Sequence, residues 1–428
     1  MTDIHAIRSC FPSLSTGTVF LDNAGGSQVP VGVADAAREC LLHGNAQVGG
    51  SYGPSLASAG TIRAAHAFVA RMSNAASDEL AIIGPSNSAL SRLLAGAYAD
   101  TGPRDGRDHL VVCLHGHESN IGPWLALEKR GWTVVPWTDL PVAGEAYARS
   151  VTPHLGPRVR LVVFPHVSNI LGSVTDARLI ADLAHRAGAR VVVDGVAFAP
   201  HRAVDVRALG ADWYGWSTYK VYGPHASVLV GTRDAMVEVV GPNHYFIPDS
   251  AWPKKFEIGG VPQESCAAIV GLGGYLRFLA DGALAPAGGV KPNSVAWGDA
   301  PIDRETITRA FDVMAAMERP LQRRLIEGMR AVPGLRILGP QDDGRDRVPT
   351  VSAVIEGRSS RAVATAANAL GLGMRHGHFY SHRLVRALLP GGDPEDGVLR
   401  ISLVHYNTPD EVDAAVTFLD RAARRGVD

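Results

Sequence analysis

Cysteine is scarce in this chain. Its 428 residues include four cysteines, Cys10, Cys40, Cys113 and Cys266, and no two of them form a C-x-x-C pair. Such isolated residues argue against a disulfide framework and against the common zinc patterns, and they fit thiols kept reduced. No metal is expected. Long apolar runs are missing as well: none approaches 18 residues, so the sequence reads as having no transmembrane helix. The first residues, MTDIHAIRSCFPSL, place Asp3 and His5 where a secretory signal needs positive charge followed by an apolar stretch. A cytoplasmic protein is expected. Neither sign of charge is in excess, with Lys+Arg 41 against Asp+Glu 42 and a formal net charge of -1. That balance argues against nucleic acid or an anionic membrane face as a bulk partner. It leaves room for a small anionic ligand held by a few donors. The nucleotide-binding patterns G-x-G-x-x-G and G-x-x-x-x-G-K-[ST] are both absent, which makes a nucleotide-binding α/β protein a poor reading.

What the chain does have is core-forming material. Hydrophobic residues make up 46% and charged residues 19%, enough to order a chain of two or three domains at about 150 residues each. Short β-branched runs alternate with helical patterns: HLVVCL (109–114), WLALEKRG, WTVVPW, RLVVFPHVS (160–168), TDARLIADLAHRAGA and RVVVDGVA (190–197). Apolar runs of this kind between helices indicate βαβ units and a parallel sheet buried on both faces. ADWYGWS and ASVLVGT continue it. The expected fold is a three-layer α/β domain over 20–290 with a mainly parallel sheet, and a smaller α+β domain from 1–19 and 291–428. The Gly, Pro and Ala-rich stretch 280–300 reads as a linker. After it come a long helix kinked near Pro320, the strands TVSAVIE and VLRISLVHY, and the closing helix PDEVDAAVTFLDRAARR.

Two residues carry the first chemical signal. Lys220, in WSTYKVYGPH, follows a strand and stands among Trp216, Tyr219 and Tyr222. Apolar neighbours favour the neutral amine, which suits Schiff-base chemistry, although a lone lysine is ordinarily a solvated surface charge. Asp194 closes the apolar run RVVVD at the carboxyl edge of a sheet, where open α/β folds bind ligands. Its ordinary reading is a helix cap or turn residue. Together the two suggest pyridoxal phosphate, a cofactor held by a lysine whose ring nitrogen is kept protonated by a carboxylate.

The stretch DGVAFAPHRAVDVRALGADWYGWSTYKVYGPH resembles the cofactor-lysine region of class V aminotransferases and cysteine desulfurases, which are fold type I pyridoxal phosphate enzymes. VSNILGSV resembles their Ser-Asn-x-x-Gly segment and LHGHESNIGPW their His-x-x-Asn segment, and LDNAGGSQVP and RISLVHYNTPDEVD match near the two ends. The set is most similar to a desulfurase-like subfamily carrying LDNAGGSQVP, YKVYGPH and HYNT. The resemblance implies Lys220 as the aldimine lysine, Asp194 as the partner of the ring nitrogen, and His117 stacked on the ring. It places Asn169 near the ring hydroxyl and the substrate carboxylate, and Arg400 as the fork that grips that carboxylate. Ser86, Asn87 and Ser88, where a strand gives way to a helix, would hold phosphate together with Ser217. A simple N-cap uses the same letters.

The departures are as informative. Ala197 stands where the family carries Gln, Tyr219 where it carries His before the lysine, and Gly260 where a Thr reaches phosphate across a dimer. Desulfurases bear a mobile cysteine in an Arg-x-Gly-His-x-Cys loop. The matching stretch GMRHGHFYSHR (373–383) has Tyr380 at or beside that position, and no cysteine follows Cys266. Persulfide chemistry at this loop is therefore excluded, and His378 or Tyr380 is the expected proton donor. The resemblance implies a homodimer that takes an L-amino acid into an external aldimine and cleaves a carbon–sulfur or carbon–selenium bond. Transamination or epimerisation is the alternative, since both share the first steps. A non-catalytic protein that keeps the fold is a second alternative.

Overall fold

The computed structural model describes residues 3–77, 80–142, 144–282, 302–342, 344 and 347–427. Nearly all of the expected linker 280–300 lies outside them. The strands in chain order are β1 (Val19–Phe20), β2 (Ala81–Gly84), β3 (His109–Cys113), β4 (Thr133–Trp137), β5 (Val159–Pro165), β6 (Arg190–Asp194), β7 (Trp213–Ser217), β8 (Ser227–Gly231), β9 (Leu335–Leu338), β10 (Thr350–Ile355), β11 (Leu372–Gly373), β12 (Arg375–Gly377) and β13 (Val398–Ser402). The chain forms two compact units. One comprises Met1–Ser13, Ser27–Pro103 and Arg202–Val313, and the other Leu14–Gly26, Arg104–His201 and Met314–Asp428.

In the first unit, β8 lies between β2 and β7, antiparallel to both. ADWYGWS and ASVLVGT continue the sheet as expected, and because the link Thr218–Ala226 is too short for a crossover helix, β8 must run back against β7. All three strands are buried throughout, as their unbroken apolar runs require. Helix Asn87–Thr101 follows β2 directly. Ser86 caps it, its hydroxyl oxygen accepting the Ala89 N–H at 3.1 Å.

In the second unit, β6, β5, β3 and β4 run parallel in that order. The strand β5 is buried at every residue. Helix Ala177–Arg186 connects β5 to β6; Asp176 caps its start by accepting the Leu179 N–H at 3.0 Å. The stretch WLALEKRG is helical as expected but divided: a short α turn, Gly122–Leu125, runs into a 3-10 segment, Ala126–Arg130, that stops at left-handed Gly131. A second sheet is antiparallel, in the order β12, β13, β10, β9, with β1 and β11 paired in parallel beside it. Its apolar face packs Leu325, Ile326, Val351, Ile401, Val412 and Leu419 into one core. Helix Arg304–Arg330 runs through Pro320 without ending there. Helix Pro409–Arg425 starts on a capping box of Thr408 and Glu411.

Candidate active site

The first unit holds the lysine and the serines. Lys220 closes the turn Thr218–Lys220 just after β7, 8% exposed, its Nζ 5.9 Å from the Tyr219 ring centroid. Tyr219 stacks on His225 with centroids 5.0 Å apart, so the tyrosine that replaces the family's histidine still presents a flat ring beside the lysine. Ser27 ties the turn down. Its hydroxyl donates to the Tyr219 carbonyl (3.2 Å) and accepts the N–H of Tyr222 (2.8 Å), a non-glycine residue at φ 59°. Asn87 opens the helix after β2, where its amide oxygen packs so closely on Gly215 of β7 that a Cβ there would lie 2.6 Å away. Ser217 is buried and shares a 2.9 Å hydrogen bond with Ser227, its partner across β7 and β8. Ser86 fills the cap role that its position allowed. Ser88 lies in the first turn of the same helix, where backbone N–H groups face out of the helix start. Gly260 has φ 86° and space around it, so any contact it makes is through its backbone.

The second unit holds the carboxylate, the rings and the arginines. Asp194 ends β6 opposite Pro165, is 7% exposed, and accepts the Val196 N–H at 3.0 Å. His166, which the sequence reading passed over, donates its backbone N–H to the Asp194 carbonyl at 2.8 Å and stacks on Phe198 at 3.8 Å. Burial lowers its pKa to about 3, so the ring is neutral. Its position at the end of β5, next to an aspartate ending β6, was the available clue. His117 Nδ1 meets the Ser119 N–H at 3.2 Å and the Ser119 hydroxyl at 2.8 Å, which fixes the orientation of the ring. The His117 ring lies 5.2 Å from that of Tyr380. Phe379 (φ 48°) and Tyr380 (φ 60°) are both left-handed, a pair of strained residues that turns the loop over His117. The Tyr380 carbonyl accepts the Glu118 N–H at 2.8 Å, which pins the loop there, while its side chain is 64% exposed. His378 accepts the Tyr380 N–H on Nδ1 at 3.1 Å and sits 5.3 Å from His382, centroid to centroid.

Asn169 joins this loop to the arginines. Its side chain donates to the Phe379 carbonyl (3.0 Å) and accepts from the Ser381 hydroxyl (2.7 Å), and its own carbonyl accepts from Arg400 Nη1 (3.1 Å). Arg400 is 3% exposed, donates from Nη2 to Asp22 Oδ1 at 2.7 Å, and lies 3.8 Å over the Phe379 ring. The sequence reading missed Asp22, although it lies in the LDNAGG segment that carried the resemblance. The two ends of the chain lock together there. Asn23 donates to the Ser402 carbonyl and to Asn407, and accepts from the Tyr406 hydroxyl, so LDNAGG and HYNT hold one another.

The glycine of the Ser-Asn-x-x-Gly segment has a structural reason. Gly172 has φ 68°, and a Cβ there would collide with the Thr350 carbonyl oxygen. Gly172→Ala is expected to destabilise the protein by roughly 2–4 kcal/mol, because it combines left-handed strain with a clash against backbone that cannot move aside. Urea unfolding measures this. A midpoint equal to that of the parent would show that the turn can relax.

The first unit carries a buried amine just beyond a strand and hydroxyl and amide groups at a helix start, and the second a buried carboxylate ending a strand, each the kind of group by which a protein holds pyridoxal phosphate. The residues present fit the cofactor. The family profile described as aminotransferase class-V matches residues 19–288 and 307–415. The aminotransferase-like protein FGM3 of Gibberella zeae is 38% identical over 429 residues, covering 97% of this chain and 98% of FGM3. The nonribosomal peptide synthetase-like enzyme fsqF of Aspergillus fumigatus is 32% identical over 424 residues; the match covers 97% of this chain and 26% of fsqF, so the chain spans about a quarter of that protein. Among solved structures, an apo cysteine desulfurase from Thermococcus onnurineus NA1 superposes with a TM-score of 0.81 at 21% identity, covering 98% of each chain. That last likeness is one of fold. The chain belongs to the class-V aminotransferase family, and is an α/β enzyme of the pyridoxal phosphate-dependent kind.

Proposed function

We propose that this enzyme acts on an L-amino acid and cleaves a carbon–sulfur or carbon–selenium bond without carrying sulfur on the protein. The observation that carries the second half is the loop 373–383. It offers His376, His378, Tyr380 and His382 and no thiol. The remaining cysteines are poor substitutes. Cys113 lies buried within β3 and Cys266 is fully buried in helix Gln263–Asp281, and burial pushes both thiols up in pKa, away from the reactive thiolate. Cys10 and Cys40 are likewise pushed up by burial.

When bound, pyridoxal phosphate supplies a ring that accepts electron density from the substrate's Cα. Lys220 would hold it covalently and, once released, move the Cα proton on its amine. Asp194 would keep a proton on the ring nitrogen, His117 would cover the ring face, and Asn169 would meet the ring hydroxyl. Ser86, Asn87, Ser88 and Ser217 would hold the phosphate. Arg400 would receive the substrate carboxylate. His378 or Tyr380 would protonate the departing sulfur, which leaves with the bonding electron pair as sulfide or thiol, so no oxidant or thiol acceptor is needed. We further propose that the enzyme works as a homodimer in the cytoplasm. The described helices include none long and apolar enough to cross a membrane.

A second reading, transamination, draws support from the similarity to FGM3, an aminotransferase-like protein. One experiment separates the two. Purified protein should show a visible band that borohydride removes; L-cysteine should then yield free sulfide, and mass spectrometry should find no added sulfur on the chain. Keto acid formed stoichiometrically with an aminated cofactor, without sulfide, would favour transamination. A persulfide on Cys113 or Cys266, lost with activity in the matching Ser variant, would restore conventional desulfurase chemistry.

A further inference from the structure

Arg400 does not stand alone on its face of the sheet. In the antiparallel pair of β12 and β13, Arg375 stands directly opposite Arg400, so both side chains leave the same face of the sheet. Two guanidinium groups so placed repel one another unless an anion lies between them. Asp22 is that anion: Oδ1 meets Arg400 Nη2 at 2.7 Å and Oδ2 meets Arg375 Nη1 at 3.3 Å. Phe379 lies under both cations, 3.8 Å from Arg400 and 5.4 Å from Arg375. Gly25 makes room for the carboxylate, since a Cβ there would come within 2.5 Å of Asp22 Oδ2. Two cations and one internal anion leave a net charge of +1, the complement of one further carboxylate.

The two arginines differ in what they can do. Arg400 is almost fully buried, with Nη1 on the Asn169 carbonyl and Nη2 on Asp22. A substrate carboxylate arriving at this fork competes with Asp22 for it. The Arg375 side chain is 56% exposed and holds Asp22 by the longer contact, so it has freedom to move. We propose that Asp22 is a placeholder carboxylate, passed from Arg400 to Arg375 when the substrate carboxylate binds, and that Arg375 is thereby a specificity-determining residue for carboxylate substrates. The proposal rests on the reading that the substrate is an α-amino acid. It adds two residues to the site, and it gives Asp22 a role opposite to that of a simple support for Arg400.

The test is a binding titration of the holoenzyme, followed through the shift of its visible cofactor band. The probes are L-alanine and L-alaninamide, which present the same amine with and without a carboxylate. Arg375→Gln removes the cation that would take up Asp22 and should weaken L-alanine by about tenfold or more while leaving L-alaninamide unchanged; Arg375→Lys should recover part of the loss. Asp22→Asn weakens the competitor and should tighten L-alanine severalfold, again without effect on L-alaninamide. A purely supporting Asp22 gives the reverse sign, with weaker L-alanine in Asp22→Asn, and that result overturns the proposal. So does an Arg375→Gln protein that binds both probes as the parent does. If Asp22→Asn does not fold, the exposed Arg375 variants decide alone. A parent protein with no borohydride-sensitive band would instead defeat the assignment of Lys220, which makes the two failures distinguishable.

Discussion

Replacing Lys220 by alanine is expected to leave a folded protein that holds no cofactor covalently and has lost at least about a thousandfold of its turnover. Alanine has no amine with which to bind the cofactor or return a proton to Cα. The fold should survive, because the substitution removes an amine side chain that is 8% exposed without touching the strand pairing of β7 and β8. The position matters for a geometric reason. Lys220 ends a turn fixed at both sides by Ser27 and by the Thr218 N–H, which donates to the Ala226 carbonyl at 3.0 Å, so its stem emerges from a rigid base. Mass spectrometry after borohydride reduction, together with a steady-state assay, measures both halves. A Lys220→Ala protein that turns over at near parental rates would remove the central assignment.

Arg400→Ala should have the next largest effect. Removing one partner of a hydrogen-bonded charge pair costs about 2–5 kcal/mol in the interaction it supports, which corresponds to an increase of roughly 30-fold to several thousandfold in KM for a carboxylate substrate. Stability should fall as well, since Asn169 and Asp22 each lose a donor and Phe379 loses the cation over its ring. Arg400→Lys should restore part of KM only, because a point charge cannot serve Asp22, Asn169 and a ligand from one planar fork. Steady-state kinetics on the matched pair of a carboxylate substrate and its amide separate binding from folding. Equal losses for the two would mean that Arg400 acts only in holding the fold.

Much of this was legible without coordinates. The runs HLVVC, VRLVVFP and RVVVD are strands because an unbroken apolar stretch of that length must be buried on both faces, and they form the parallel set as expected. Ser86 and Thr408 announce helix starts because their side chains can accept the first N–H groups. The antiparallel pairing of β8 with β7 was also readable in principle, since the length of the link alone forbids a parallel crossover.

By itself the sequence determined the kinds of element, the placing of Lys220 after one strand and Asp194 at the end of another, and the lack of a thiol in the loop 373–383. These are local properties, set by periodicity, by chain length and by which side chains are present. The tertiary structure alone decided that Asp22 lies between Arg400 and Arg375, that Asn169 is bound to the loop at Phe379 and Ser381, and that Tyr380 turns back over His117. Asp22 and Arg400 are 378 residues apart and meet through the bridge from Asp22 to Ser402, while the register of β12 against β13 brings Arg375 to the same carboxylate. A register shifted by one residue would send Arg375 to the other face of the sheet. The left-handed conformations of Phe379 and Tyr380 are no more local, since unbranched L-residues adopt them only when the surrounding contacts cover the strain.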